Sequence, residues 1–243
     1  MRTVMLLLTM LVAICGKAET LSIGLVSYDP PFVLPADTKN HFFGFDSDLI
    51  TEICHRLQAN CEFVPLTVEP LFAQTLDGTI DLALGSISIT EDRMQVFLFS
   101  LPYLASKGRF ISRSASAING IEDIRQKRVG TQSGSLFKGL VQQVFNTQVT
   151  VIEYVTQPLM FQALSNNEVD AIFLDAYTAK YWSASNNGLF KLVGDSIPIG
   201  IGYGIMSSKK NHDLIKRVNE TLVGMENDGS YLTIYNRYFL QMK

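Results

Sequence analysis

Histidine, cysteine and long apolar runs are all scarce in this chain, and each scarcity removes a class of function. Three histidines stand among 243 residues: His41, His55 and His212. None lies at metal-ligand spacing from another, so the sequence predicts no metal site. His55 and His212 fall on predicted helices beside charged neighbours and read as solvated. No G-x-S-x-G elbow is present, which leaves a serine hydrolase without an anchor. No segment offers the roughly 18 uninterrupted apolar residues of a membrane span. Basic residues are not in excess: 20 Lys and Arg stand against 23 Asp and Glu, for a formal charge of −3. A mildly acidic chain is a poor match for nucleic acid. No cofactor motif stands out either. Gly200-Ile-Gly-Tyr-Gly204 is followed by neither Lys-Ser/Thr nor an immediate helix, so it fails as a phosphate loop. It reads as strand extension with small residues at a crossover. The sequon at Asn219 lies inside a predicted helix and reads as chance.

What is present begins with a leader. Arg2 precedes an apolar run at residues 4–14, which ends in Gly16-Lys17-Ala18. That is the pattern of a secretory signal peptide cleaved after Ala18. Cys15 raises a lipid-modified N-terminus as the minor alternative, opposed by the bulky Ile14 where a small residue is wanted. Losing residues 1–18 removes Arg2 and Lys17, takes the formal charge from −3 to −5, and leaves 225 residues. That length suits one large domain or two small ones. Cys54 and Cys61 remain. In an oxidising compartment a close pair favours a disulfide over a metal site, and the bond would pin a helix end to the next strand. Two buried thiols is the alternative reading.

Along the mature chain, strand and helix patterns alternate. Strands are predicted over residues 21–26, 62–66 and 80–84. Asp46 is expected to cap a helix with Leu49, Ile50, Ile53, Cys54 and Leu57 on one face, and residues 71–76 form a short helix closed by Asp77-Gly78. Thr90 caps another. This βαβαβα order argues for an α/β sheet with parallel strands. The pattern breaks around residues 104–108 and then begins again. Strands are expected near residues 110–111, 128–130, 149–155 and 169–174, with helices over 135–145, 158–164 and 176–184. A strand and two amphipathic helices follow Gly204. Two units of similar grammar suggest two lobes.

Polar residues collect where these strands end. Past the strand at residues 80–84 come Gly85, Ser86, Ser88 and Thr90, and then Arg93 in the first helical turn. Hydroxyls, free N–H groups and a guanidinium in one place suit a small carboxylate. Asp175 ends a strand, where it serves as a helix cap or faces a ligand at the carboxyl edge of the sheet. Gln132-Ser-Gly-Ser135 occupies a similar strand-to-helix position. Arg93 against Asp175, Ser86 and Ser88 complements an α-amino acid, and pairing the charges offsets the desolvation each would carry alone.

Six segments fall in a familiar order: Tyr28-Asp-Pro-Pro-Phe32, Gly44-Phe-Asp-Ser-Asp-Leu49, Ser86-Ile-Ser-Ile-Thr-Glu-Asp-Arg93, Phe99-Ser-Leu-Pro-Tyr103, Val169-Asp-Ala-Ile-Phe-Leu-Asp175 and Asp228-Gly-Ser-Tyr231. Across essentially the whole mature chain the sequence resembles the periplasmic amino-acid-binding proteins of ABC importers, nearest the lysine/arginine/ornithine-binding branch. The Cys54–Cys61 pair resembles that branch's disulfide. The resemblance implies a type II periplasmic-binding fold, α/β, with two lobes of mostly parallel sheet flanked by helices. Lobe 1 would comprise residues 19–105 and 202–243, lobe 2 residues 106–201, with hinge strands near 105–108 and 197–202. Arg93 would hold the ligand α-carboxylate with main-chain N–H groups near Ser88 and Leu136. Asp175 would hold the α-ammonium with the Ser86 carbonyl and Ser88 hydroxyl. Ser135 and Gln132 would line the second lobe, while Gly44, Phe45 and Asp46 would set a helix start. The implied partners are a small-molecule amino acid and a membrane permease. No cofactor and no metal are implied, and the protein would be a monomer in the periplasm.

The pattern departs where side-chain specificity is set. Val26 and Asp29 stand where many basic-amino-acid binders carry an acid and an aromatic, and Val68 replaces an aromatic wall residue. Tyr28 and Phe32 are the aromatics left close by. Asp29 supplies the missing acid in one reading, giving a pocket suited to a cationic side chain such as arginine's; in the other it is a turn residue before Pro30. Two further functions share the scaffold. A dehydratase for prephenate-like acids would need a proton-transfer group such as Asp29 or Glu153. A ligand-sensing module would signal through a separate partner.

Overall fold

A computed structural model of the chain describes residues 18–38 and 41–240. Cys15 and residues 1–17 of the predicted leader lie outside the described residues. The first sheet begins with β1 (Thr20–Val26), β2 (Leu34–Pro35) and β3 (Phe42–Phe43) pair as a small hairpin, and α1 spans Phe45–Leu57. Then come β4 (Asn60–Leu66), α2 (Val68–Asp77), β5 (Leu82–Leu84), α3 (Glu91–Val96) and β6 (Phe97–Phe99). The second sheet is built from β7 (Lys107–Arg113), β8 (Arg128–Gln132), β9 (Thr150–Tyr154), β10 (Ala171–Asp175) and β11 (Phe190–Pro198). Its helices are α4 (Phe137–Phe145), α5 (Gln157–Ser165) and α6 (Ala176–Ser185). The chain then returns to the first sheet as β12 (Met206–Ser208) and finishes with α7 (His212–Asp228) and α8 (Ser230–Phe239).

The two sheets run β4-β1-β5-β12-β6 and β11-β7-β10-β8-β9. β1 is parallel to β4 and β5, and β8 is parallel to β9 and β10. The remaining pairings, β12 with β5 and β6, and β7 with β10 and β11, are antiparallel. Each sheet is therefore half parallel, where mostly parallel sheets were expected. The difference lies in the strands next to the two crossings between lobes, where the chain enters a sheet from the other lobe rather than through a local helix. The crossings lie side by side: Ile199 N donates to Ser106 O (3.0 Å), and Tyr203 N to Leu104 O (2.8 Å).

Each core follows from its pattern. β1 lies between two strands with helices on both faces, so it reads as a nearly continuous apolar run. α1 buries Leu49, Ile50, Ile53 and Cys54 at helical spacing. α7 buries Leu214, Ile215, Val218, Leu222 and Met225 on the same core. Each such side chain contributes about 1.5–3 kcal/mol over an exposed one. Asp46 was expected to cap α1, but the cap is Gly44, at φ 124°. A Cβ there would stand 2.1 Å from the Phe32 carbonyl oxygen, so the approach requires glycine. Asp46 is the second residue of the first turn, with its side chain directed elsewhere. Cys54 and Cys61 form the expected disulfide, joining the last turn of α1 to β4.

Candidate functional site

The turn after β5 is held from below by Asp46. Gly85 and Ser86 both have positive φ, 129° and 47°. A Cβ on Gly85 would lie 2.4 Å from Val26 Cγ2. Asp46 Oδ2 accepts hydrogen bonds from Gly85 N (2.9 Å), Ser86 N (3.0 Å) and the Tyr103 hydroxyl (3.0 Å). Burial pushes this carboxyl up to about 7 despite those donors. The turn delivers Ser88 and Arg93 to one wall. Ser88 shares a 2.7 Å hydrogen bond with the Ser106 hydroxyl. Thr90 caps α3 as expected, its hydroxyl accepting from Arg93 N. The Arg93 guanidinium donates to Ser88 O at 2.8 Å and lies 4.7 Å over the Phe72 ring. Among the described residues no carboxylate lies within 4.0 Å of it. Burial lowers its pKa to about 10.

Asp29 is the acid that lines the same site. Its backbone makes the expected turn, with Phe32 N and Val33 N donating to Asp29 O. Its side chain does more than a turn requires. It is 2 % exposed and accepts from Ser86 Oγ (2.6 Å), Gln157 Nε2 (2.7 Å) and Thr178 Oγ1 (3.2 Å). Burial raises its pKa, and those three donors oppose the rise. Asp175 caps α6: Oδ1 accepts from Tyr177 N (2.8 Å) and Thr178 N (2.9 Å). Its Oδ2 is buried without a partner among the described residues. Burial first, and then the charge of Asp29, hold this carboxyl well above the usual range.

Around these groups is a narrow cavity of about 40 Å³. The first lobe lines it with Val68, Ser86, Ser88, Arg93 and Asp29, and the second with Gln132, Ser135 and Leu136. Eight of the ten expected ligand residues therefore meet at one cavity. Tyr28 and Asp175 do not line it. Tyr28 turns toward Trp182, with ring centroids 6.5 Å apart, and Asp175 connects to Asp29 only through Thr178. Phe32 is not a wall residue either: it is buried in the first core against Phe45, Tyr177, Tyr203 and Phe239. Val26, a specificity position in the sequence, also lines the cavity, and Phe72 and Phe137 line it unforeseen. Phe72 had a legible signal, since it lies one helical turn beyond Val68 on α2.

The helix starting at 135 in the sequence reading begins at Phe137 instead. Ser135 and Gln132 shape the loop before it, the Ser135 hydroxyl donating to Gln132 O at 2.6 Å. Gly134, at φ 75°, brings that loop against α2 of the other lobe, where a Cβ would meet Glu69 Cγ at 2.5 Å. The lobes are thus in contact around the cavity.

A two-lobed α/β fold with a charged cavity between the lobes defines a ligand-capturing protein. Residues 21–241 match the family of bacterial extracellular solute-binding proteins, family 3, and the chain belongs to that family. Its relatives include the lysine/arginine/ornithine-binding periplasmic protein of Escherichia coli (strain K12). That protein is 29 % identical, over 91 % of this chain and 88 % of its own. Among solved structures, an arginine 3rd transport system periplasmic binding protein from Legionella pneumophila superposes with a TM-score of 0.88. It is 37 % identical and covers 91 % of this chain and 100 % of its own. An ancestral arginine-binding protein bound to arginine follows at TM-score 0.84 and 31 % identity, over 90 % of this chain and 98 % of its own.

Proposed function

We propose that this chain is a periplasmic binding protein that closes on an L-amino acid with a cationic side chain, arginine first, and delivers it to an ABC transporter permease. One observation carries the ligand class. A half-buried guanidinium without a carboxylate partner among the described residues, Arg93, faces a cavity whose other charged wall residue is the buried acid Asp29. Arg93 takes the ligand carboxylate, aided by N–H groups near Ser88 and Leu136. Asp29 takes a cationic group at the cavity wall. Asp175, reached through Thr178, adds negative potential behind it and draws the α-ammonium. Val26 and Val68 leave width for a long side chain, and Phe72 and Phe137 supply its aromatic contacts. The names of the relatives support the same ligand class: arginine-binding proteins recur among them.

Capture couples to motion. Residues 19–105 with 202–243, and residues 106–201, move as two bodies about the paired crossings at 105–108 and 197–202. The ligand bridges both faces, so it favours the closed form. Residues 1–18 serve as a cleaved export signal, and the mature protein acts as a monomer without a cofactor. We read the chain as a binder rather than an enzyme. Glu153, one acid considered for proton transfer, pairs with Lys138 at 2.6 Å and does not line the cavity. Asp29, the other, already accepts three hydrogen bonds.

Calorimetry on residues 19–243 with arginine, lysine, ornithine, histidine, glutamine and cystine tests this reading. Arginine should bind tightest. At a hundredfold excess over Kd it should stabilise the fold by about 2.7 kcal/mol by mass action. No heat from any of the six would overturn the assignment.

A further inference from the structure

Asp29 belongs to the first lobe, but two of its three side-chain partners belong to the second. Gln157 opens α5 and Thr178 lies in the first turn of α6. Both side chains are buried, at 3 % and 0 % exposure. Both donate to the same oxygen, Oδ1, and so fill both of its lone pairs. Ser86 takes one site on Oδ2, which leaves one acceptor site of the carboxylate free toward the cavity that Asp29 lines. Gln157 also buries an amide oxygen that finds no partner among the described residues. A glutamine held at that desolvation cost is not simply filling a core. Tyr177, whose N–H makes one of the two cap bonds of Asp175, packs against Phe32 and Phe239 of the first core.

We infer that Gln157 and Thr178 form a cross-lobe latch on Asp29, so that closing the lobes and fixing the cation-accepting carboxylate are one event. The role in placing a ligand rests on the function proposed above; the latch itself does not. Its bonds are made by protein groups alone and exist in the closed form with or without ligand. In the open form Asp29 is rehydrated and its side chain is free to turn, and the two donors return to water. Closure then turns Asp29 so that Oδ2 points, with Ser86, at the incoming cationic group. Gln157 and Thr178 are positioning residues here, acting through Asp29.

Two measurements test this. The first uses fluorescent labels at the exposed positions Leu76 and Leu159, one on each lobe, and reads energy transfer without any ligand. The wild-type protein should sample the short, closed distance. Gln157→Leu and Thr178→Val should lose that population while melting within a few degrees of wild type. A wild type that never closes alone, or variants with an unchanged distance distribution, would overturn the latch. The second is a double-mutant cycle with L-arginine as the probe. Asp29→Ala and Gln157→Leu should each raise Kd tenfold or more, mostly through the dissociation rate. The double variant should lose little beyond the worse single one, because both remove the same contact. Additive losses would contradict the coupling. Failure of wild type to bind L-arginine, with the closed population intact and lost in the variants, would reject the ligand assignment and leave the latch standing.

Discussion

The two charged walls of the cavity are built by opposite means. Arg93 is presented by local structure: the turn after β5 and a short capped helix bring it to the wall, and its guanidinium donates five residues back to Ser88. Asp29 is presented by tertiary structure, held by groups 57, 128 and 149 residues away. The local wall is complete within one lobe and is ready in any state of the hinge. By the latch inferred above, Asp29 takes its final orientation only when the lobes meet. A ligand that engages Arg93 first therefore finds its second charge partner through closure.

The largest effect expected is at the local wall. Arg93→Ala should abolish binding of every amino acid, costing about 4 kcal/mol, roughly a thousandfold in Kd. It should not lower the melting temperature of the free protein, because it removes a half-buried cation that has no acid partner among the described residues. Calorimetry with a parallel thermal melt measures both. At the tertiary wall, Asp29→Asn should weaken arginine by about 2 kcal/mol, roughly thirtyfold, and its neutral analogue citrulline by only about threefold. Equal losses for the two would show that Asp29 does not read charge.

The pH dependence separates the walls further. Asp46 stands at about 7 in the folded protein against an ordinary 3.8, and Asp29 and Asp175 are also raised. A carboxyl raised by folding contributes stability that is complete below its unfolded value and is lost as pH rises through its folded one. The ligand-free protein should therefore lose this contribution between about pH 4 and pH 7. A cationic ligand stabilises the ionised acids, so its gain in melting temperature should be greater at pH 8 than at pH 5. A shift independent of pH would contradict the acidic wall. The smallest effect on binding is expected far from the cavity. Reducing Cys54–Cys61 should lower stability by about 2 kcal/mol and leave Kd for arginine unchanged in a titration below the melting range.

The same division explains what could be read from the sequence. The Gly85–Arg93 segment was legible because strand, turn, cap and guanidinium follow one another within a dozen residues. Val68, Gln132, Ser135 and Leu136, named through the resemblance to a family, all line the cavity. Asp29 was half legible: its turn is local, but its buried bonds to Gln157 and Thr178 need the folded chain to bring them together. Gln157 and Thr178 carry no signal of their own, since a glutamine before Pro158 and a threonine in a first helical turn are ordinary residues there. Asp175 was read as either cap or ligand group; its cap bonds are present, while the cavity is lined by Asp29 instead. β11 was not foreseen because Gly194 and Asp195 interrupt it at a register shift between Val193 and Ile197, which hides the alternation of a strand.

The central claim is that the cavity reads both ends of one ligand, a carboxylate at Arg93 and a cation at Asp29. Calorimetric titration of residues 19–243 with L-arginine, citrulline and agmatine tests it most directly, because the analogues lack the side-chain charge and the carboxylate in turn. Arginine should bind at least tenfold tighter than citrulline, and agmatine should give no measurable heat. Comparable affinity for all three, or no heat from arginine, would contradict it.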